Sequence, residues 1–487
     1  MAKKLYKDLI STSGAYFITS GLGIIYGILF PRLLGSEQWG LWSISIGLIG
    51  LLGPLAQVAM STTLTTYVSR YKKDKKTVSK YINSAYFVAI FSSFLVSIAL
   101  ILLSSYLASS VFKDERLRLF LLLGAGIIFF KQLNIINRDY FRGFKDFKKY
   151  NILKIVPELS LLLLTISFFI LFSYRAIYLA TAQLVIAAIV CILVFTYLIR
   201  EEDVFRIFRI PNNKVTKKVL KFGIPLIFTM TFMTVMKSLD RVLIGYFLEA
   251  DDVGIYSVAA GIPLMIGGMF APITTVILPA FSERKGKGKS SEVLLRELFS
   301  LLLYVSIPLI IFLYLFSGDI LYIVFGQEYI LGATVLSITS IEIFLYSSKR
   351  LFGIPVVGSE KTVSYAVGLG LTALSNIVLN SILIPIYGIE GAALGTVLSF
   401  VLLFFIMLHL CKRNSEFKIS SVNLKVIIPL TITFLISGIF LEWILDGLIS
   451  LIITSVTFLA LLFVFSELSS PLWYRELKTY IKEMPFL

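Results

Sequence analysis

The stretch Leu34-Gly-Ser-Glu-Gln-Trp-Gly-Leu-Trp-Ser43 returns, at an offset of 214, as Leu248-Glu-Ala-Asp-Asp-Val-Gly-Ile-Tyr-Ser257, with Gly40 matched by Gly254, Trp42 by Tyr256 and Ser43 by Ser257. Each copy closes one apolar run and opens the next. It therefore reads as an acidic turn whose Ser or Asp caps a helix and whose Gly permits a tight reversal. Three further pairings keep the same order: Ser69 with Ser282 at an offset of 213, and Gly143 and Tyr150 with Gly358 and Tyr365 at 215; Ala180-Thr181 pairs with Gly395-Thr396, also at 215. The chain is thus built twice from one design. An offset that covers six membrane spans returns the second copy to the same side, so the halves are expected to be related by a pseudo-two-fold axis along the membrane normal.

Working outward, composition supports spans of this kind. Of 487 residues, 57% are apolar, 14% aromatic and only 15% charged, against about 25% charged in soluble domains. Together with a mean hydropathy of +0.89, this excludes a soluble globule and a disordered chain. Apolar runs long enough to cross a bilayer fall at about 10–30, 41–66, 82–111, 117–136, 152–173, 176–199 and 222–248. Seven more follow at about 253–281, 298–316, 328–348, 362–384, 389–411, 426–444 and 447–466. The first is longer than a secretory apolar core and lacks a small-residue cleavage pattern, so it is expected to be a retained span.

The basic residues test this count, because Lys and Arg are held on the cytoplasmic side. Of 45, 38 fall in every second connection and five in the others, leaving Lys237 and Arg241 inside a span. The net charge of +16 is therefore mostly a topology signal and no sign of nucleic acid. The expected protein is all-α and polytopic, with about 14 transmembrane helices. It divides into a six-helix bundle at 1–209, a second at 210–415 and a two-helix extension at 416–487, both termini being cytoplasmic in the cell (plasma) membrane. One connection fits poorly: Lys113, Arg116 and Arg118 put three bases on the outer side.

Several chemistries are disfavoured. Cys191 and Cys411 lie in apolar runs and His409 is the single histidine, so no disulfide framework, zinc set or cofactor site is readable. There is no nucleophile elbow, Walker loop or paired-carboxylate loop, and the outer connections are short. A transporter is expected, not an enzyme.

The segments Leu239-Asp-Arg-Val-Leu-Ile-Gly245, Glu249-Ala-Asp-Asp-Val-Gly-Ile-Tyr-Ser257 and Tyr387-Gly-Ile-Glu-Gly-Ala-Ala-Leu-Gly-Thr396, with the opening Phe30-Pro-Arg-Leu-Leu-Gly35, resemble the polysaccharide-biosynthesis flippases. These belong to the multidrug/oligosaccharidyl-lipid/polysaccharide exporter superfamily. The resemblance covers nearly the whole chain. It implies movement of a lipid-linked oligosaccharide from the cytoplasmic to the outer leaflet by alternating access. Membrane lipid and the glycosyltransferases of the same pathway would be its partners. A cation-coupled multidrug exporter and a membrane-bound glycan polymerase or ligase are the competing readings.

Charges inside spans are costly, about 2.5–3.5 kcal/mol each, and mark partners or aqueous cavities. Lys237, Asp240 and Arg241 share the seventh span near mid-depth and carry a net +1. They are the expected contacts for the phosphate of a lipid-linked sugar, with a structural ion pair as the simpler alternative. Arg32, at the outer end of the first span, and Arg70, at the inner end of the second, are secondary substrate candidates. Glu158 and Glu342 are candidates for carrying a proton or cation, although a pair with Lys154 would account for Glu158.

Overall fold

The computed structural model describes residues 2–201, 212–270, 292–359, 361–415 and 435. It forms two compact units, Met1–Gly254 and Ile255–Leu487. The described residues form helices joined by turns, with no strand among them. Nine of these helices are long and apolar enough to cross a bilayer, or ten when the bent pair 327–339 and 342–358 counts as one span. The expected spans at 426–444 and 447–466 lie outside the described residues, apart from helical Leu435.

In the first unit α1 (Ala2–Leu34) turns at Gly35 into α2 (Ser36–Gln57) and α3 (Met60–Tyr71). The sequence predicts one span for α2 and α3, and the structure keeps Ser36–Tyr71 as one span with a break in its helix. Val58 and Ala59 both take left-handed backbone, φ 52° and 53°, a conformation that costs a non-glycine residue about 1–3 kcal/mol. The break frees the Ala56 carbonyl, which accepts from Ser92 Oγ at 2.7 Å and Ser93 Oγ at 2.9 Å. Both serines sit on α4 (Lys75–Tyr106), whose N-terminus is capped by Asp74 accepting from Thr77 N–H. Short polar bonds then tie the bundle internally, as expected where lipid supplies no hydrophobic drive between helices. Ser97 donates to the Ala125 carbonyl at 2.8 Å and Tyr86 to Asn137 Oδ1 at 2.8 Å, both reaching α5 (Leu117–Gly143). Asn134 of α5 donates to Ala187 on α7 (Ile177–Glu201), and α6 (Phe147–Leu171) packs against α1, α5 and α7.

The repeated turns meet. A Cβ on Gly40 would overlap the carbonyl oxygen of Ala250, and one on Gly254 would overlap that of Ser36. Ser36 and Ala250 are related by the same offset as the two glycines, so the contact is reciprocal: each copy of the motif offers its glycine to the other copy's first helical residue. Backbone approaches backbone here, which no side chain larger than hydrogen allows. These residues begin α2 and α9 (Ala250–Gly268).

The basic connection at 113–118, which fits the expected topology poorly, carries its own counter-charges. Arg116 is held between Glu37 and Asp114, 2.7 Å from each, so its charge is locally neutralised. The Arg116 guanidinium holds the Asp114 carboxyl below its ordinary 3.8. A carboxyl depressed in the fold stabilises above its unfolded pKa and loses that stability as pH falls through the folded value. Asp114→Asn is therefore expected to lower the melting temperature slightly at pH 7, and the difference from the unsubstituted protein should shrink only below pH 3.8. Thermal melts in detergent across pH 3–7 would check this.

In the second unit the helix Glu292–Leu315 packs on Glu342–Gly358. The 53-residue helix Thr362–Asn414 would measure about 80 Å if straight, far beyond a 30 Å hydrocarbon core. It reverses at Gly388, φ 61° and ψ −138°. Asn376 donates to Thr396 Oγ1 at 3.1 Å, and a Cβ on Gly395 would lie 2.5 Å from Asn380 Oδ1. The two halves are thus an antiparallel hairpin, matching the runs at 362–384 and 389–411.

Candidate functional site

The central candidates sit on α8 (Asn213–Phe247), 35 residues long. Asn212 caps it, its Oδ1 accepting from Lys214 N–H at 3.1 Å and Val215 N–H at 3.3 Å. That cap, and the good helix propensity of Lys, carry the helix back through the lysine-rich segment before the apolar run. The helix packs on α2 through small residues. A Cβ on Gly47 would lie 3.2 Å from Val242 Cγ2 and 3.5 Å from Arg241 Cβ, and one on Gly50 would lie 2.9 Å from Ser238 Oγ. Thr234, Ser238 and Val242 therefore form the stripe that faces α2.

The charges lie beside that stripe. At about 100° per residue, Arg241, Lys237 and Asp240 fall about 60°, 100° and 160° round from Ser238 in one rotational sense. They occupy a single flank, with Lys237 between the other two. Asp240 is buried at 6% exposure, Arg241 is half-buried with its stem along α2, and Lys237 is exposed. Lys237 stands nearly three turns from the helix end at Phe247, about 15 Å. An exposed ammonium at that depth requires water or a counter-charge, because hydrocarbon offers neither.

The other candidates are separate from this flank. Arg32 lies in the last turn of α1 and Arg70 in the last turn of α3, both exposed. The chain crosses the unit between them, so they mark its opposite ends. Glu342 is buried at 1% exposure, beside the bend in the second unit. Glu158 is exposed on α6. Lys154 makes no pair with it, its ammonium standing 4.6 Å over the Tyr16 ring instead.

Two basic positions escape a reading by hydropathy. Lys131 counts with the inner bases at the end of the run 117–136 but lies in the middle of α5, because that helix runs on to Gly143. Lys349, also read as a connection residue, is buried at 4% exposure within Glu342–Gly358. It shares the Tyr346 ring with Arg350, at 5.2 and 4.9 Å. The one signal for Lys131 is its interruption of the run Ile127-Ile-Phe-Phe-Lys131 without a following turn residue. No group of metal ligands is present among the described residues.

Comparison with known proteins places this architecture. A family model described as polysaccharide biosynthesis protein matches residues 5–285, more than half of the chain. The chain belongs to the polysaccharide biosynthesis protein family. A second model, MatE, matches residues 225–382. A membrane protein of Methanocaldococcus jannaschii is 20% identical over 460 residues, 89% of each chain. A Haloferax volcanii protein named "Probable low-salt glycan biosynthesis flippase Agl15" is 28% identical over 164 residues, 33% of this chain and 35% of its own. The fold of this polysaccharide biosynthesis protein is similar to that of the lipid II flippase MurJ in an inward closed conformation, with TM-score 0.76, 18% identity and coverage of 96% of this chain and 99% of that one. It is also similar to an inward-facing multidrug resistance MATE family transporter of the MOP superfamily, with TM-score 0.67, 13% identity and coverage of 82% and 94%.

Proposed function

We propose that this chain moves a polyprenyl-linked oligosaccharide from the cytoplasmic to the outer leaflet by alternating access, without chemistry on it. The observation that carries the substrate choice is the flank of α8. It offers an exposed Lys237 and a half-buried Arg241 near mid-depth, against one buried carboxylate, Asp240. A net positive surface there suits a phosphate or diphosphate, which charge-assisted hydrogen bonds hold strongly. It repels the cationic amphiphiles that a multidrug exporter would carry, so that reading, favoured by the MatE match, ranks second.

In this proposal Arg70 meets the substrate at the inner end and Arg32 at the outer end, while Glu342 carries a coupling proton or cation. Both termini lie in the cytoplasm, the membrane is the plasma membrane, and glycosyltransferases of the same pathway supply the substrate. Deleting the gene in its host should make lipid-linked oligosaccharide accumulate on the cytoplasmic leaflet, and restoring the chain should clear it. Undisturbed glycan lipids together with loss of dye extrusion would favour the exporter instead.

A further inference from the structure

The first unit holds a second polar cluster that the α8 site does not use. Lys131 lies a little over three turns before the end of α5 at Gly143, and Glu158 about three turns after the start of α6 at Phe147. These helices form a hairpin through residues 144–146, so the two side chains stand at the same level, about 16–18 Å from the turn. Each lies within the other's electrostatic reach. Yet neither makes an ion pair or hydrogen bond among the described residues. Both side chains are long and flexible and could close on one another, yet their ammonium and carboxylate are not in contact.

Two further helices, α1 and α2, contribute aromatic donors. Tyr26 on α1 is within reach of the Glu158 charge, and its buried hydroxyl lies beside the Trp42 indole without reaching hydrogen-bonding geometry. The Trp39 ring packs 6.4 Å from that of Tyr26, and its buried Nε1 also lacks a partner. Buried donors without partners are costly in a bundle interior. One cation and one anion make the cluster electrically neutral. A phosphate would gain Lys131 but meet Glu158, and a metal cation would face the reverse. A neutral polyhydroxyl group fits better, since its hydroxyls can donate to the carboxylate, accept from the ammonium and phenol, and lie against aromatic edges.

We propose that Lys131, Glu158 and Tyr26 form a sugar-binding site for the oligosaccharide head, distinct from the phosphate contacts on α8. This rests on the reading of the substrate as a lipid-linked oligosaccharide. The test uses the full chain in proteoliposomes with two probes: a polyprenyl diphosphate bearing an N-acetylhexosamine disaccharide, and the same polyprenyl diphosphate without sugar. Lys131→Met and Glu158→Gln should each slow the glycosylated probe about tenfold, the loss of one charged hydrogen bond, while leaving the bare carrier within about twofold. Tyr26→Phe, which removes only a hydroxyl, should slow the glycosylated probe by a smaller factor in the same selective way. Equal slowing of both probes, or of neither, overturns the sugar site while the flippase reading stands. Failure of the unsubstituted protein to move either probe overturns both.

Discussion

Replacing Lys237 and Arg241 together by leucine is expected to cut lipid-linked oligosaccharide transport about a hundredfold, with each single change costing about tenfold. The size follows from hydrogen bonds to charged partners, about 1.5–3 kcal/mol each, and from the low-dielectric setting in which a phosphate would meet them. The same substitutions remove two costly charges from a membrane helix, so insertion should become easier and the yield of folded protein should hold or rise. A purely structural pair with Asp240 predicts the reverse, since truncating partners of a buried carboxylate costs about 3–5 kcal/mol of stability. Lys237→Arg keeps the charge and should retain most of the activity. Direct binding of a fluorescent polyprenyl diphosphate to detergent-solubilised protein, with a melting curve on the same sample, separates the two cases.

The second large effect is on the fold. Gly40→Ala and Gly254→Ala each add a methyl where the opposing carbonyl oxygen already sits. The helix starts must then part, because a backbone carbonyl held in a helix cannot turn aside as a side-chain tip would. A loss of about 3 kcal/mol is expected for each, at the upper end of overpacking effects. It should appear as a marked drop in melting temperature and in recovered protein. The two changes should also be strongly non-additive, since they damage one contact from either side. Alanine at Gly21, where a Cβ would meet nothing within 4 Å, should change little.

That contact shows what is legible in the letters alone. The match of Gly40 to Gly254 is visible without a structure, and the fold turns it into a physical meeting of the two copies. Membrane spans are readable for the same reason, because hydrocarbon imposes apolar runs whatever the packing. The hairpin reversal at Gly388 falls between two such runs, where the hydropathy pattern puts it. Features decided by neighbours stay hidden. The break at Val58 and Ala59 carries no glycine, and it depends on Ser92 and Ser93 of another helix to receive a freed carbonyl. Lys131 counts with the inner bases because it stands near the end of the apolar run 117–136, whereas α5 continues to Gly143 and so places it in mid-helix. For the α8 charges, depth and spacing are readable from the sequence. Only the structure distinguishes the buried Asp240 from the exposed Lys237.

The most direct measurement is the leaflet position of a fluorescent polyprenyl diphosphate oligosaccharide in proteoliposomes, followed by quenching from outside. The unsubstituted chain should carry the intact lipid across, and the folded Lys237→Leu, Arg241→Leu protein should do so about a hundredfold more slowly. Undiminished movement by that folded double variant would show that the α8 cations do not hold the substrate.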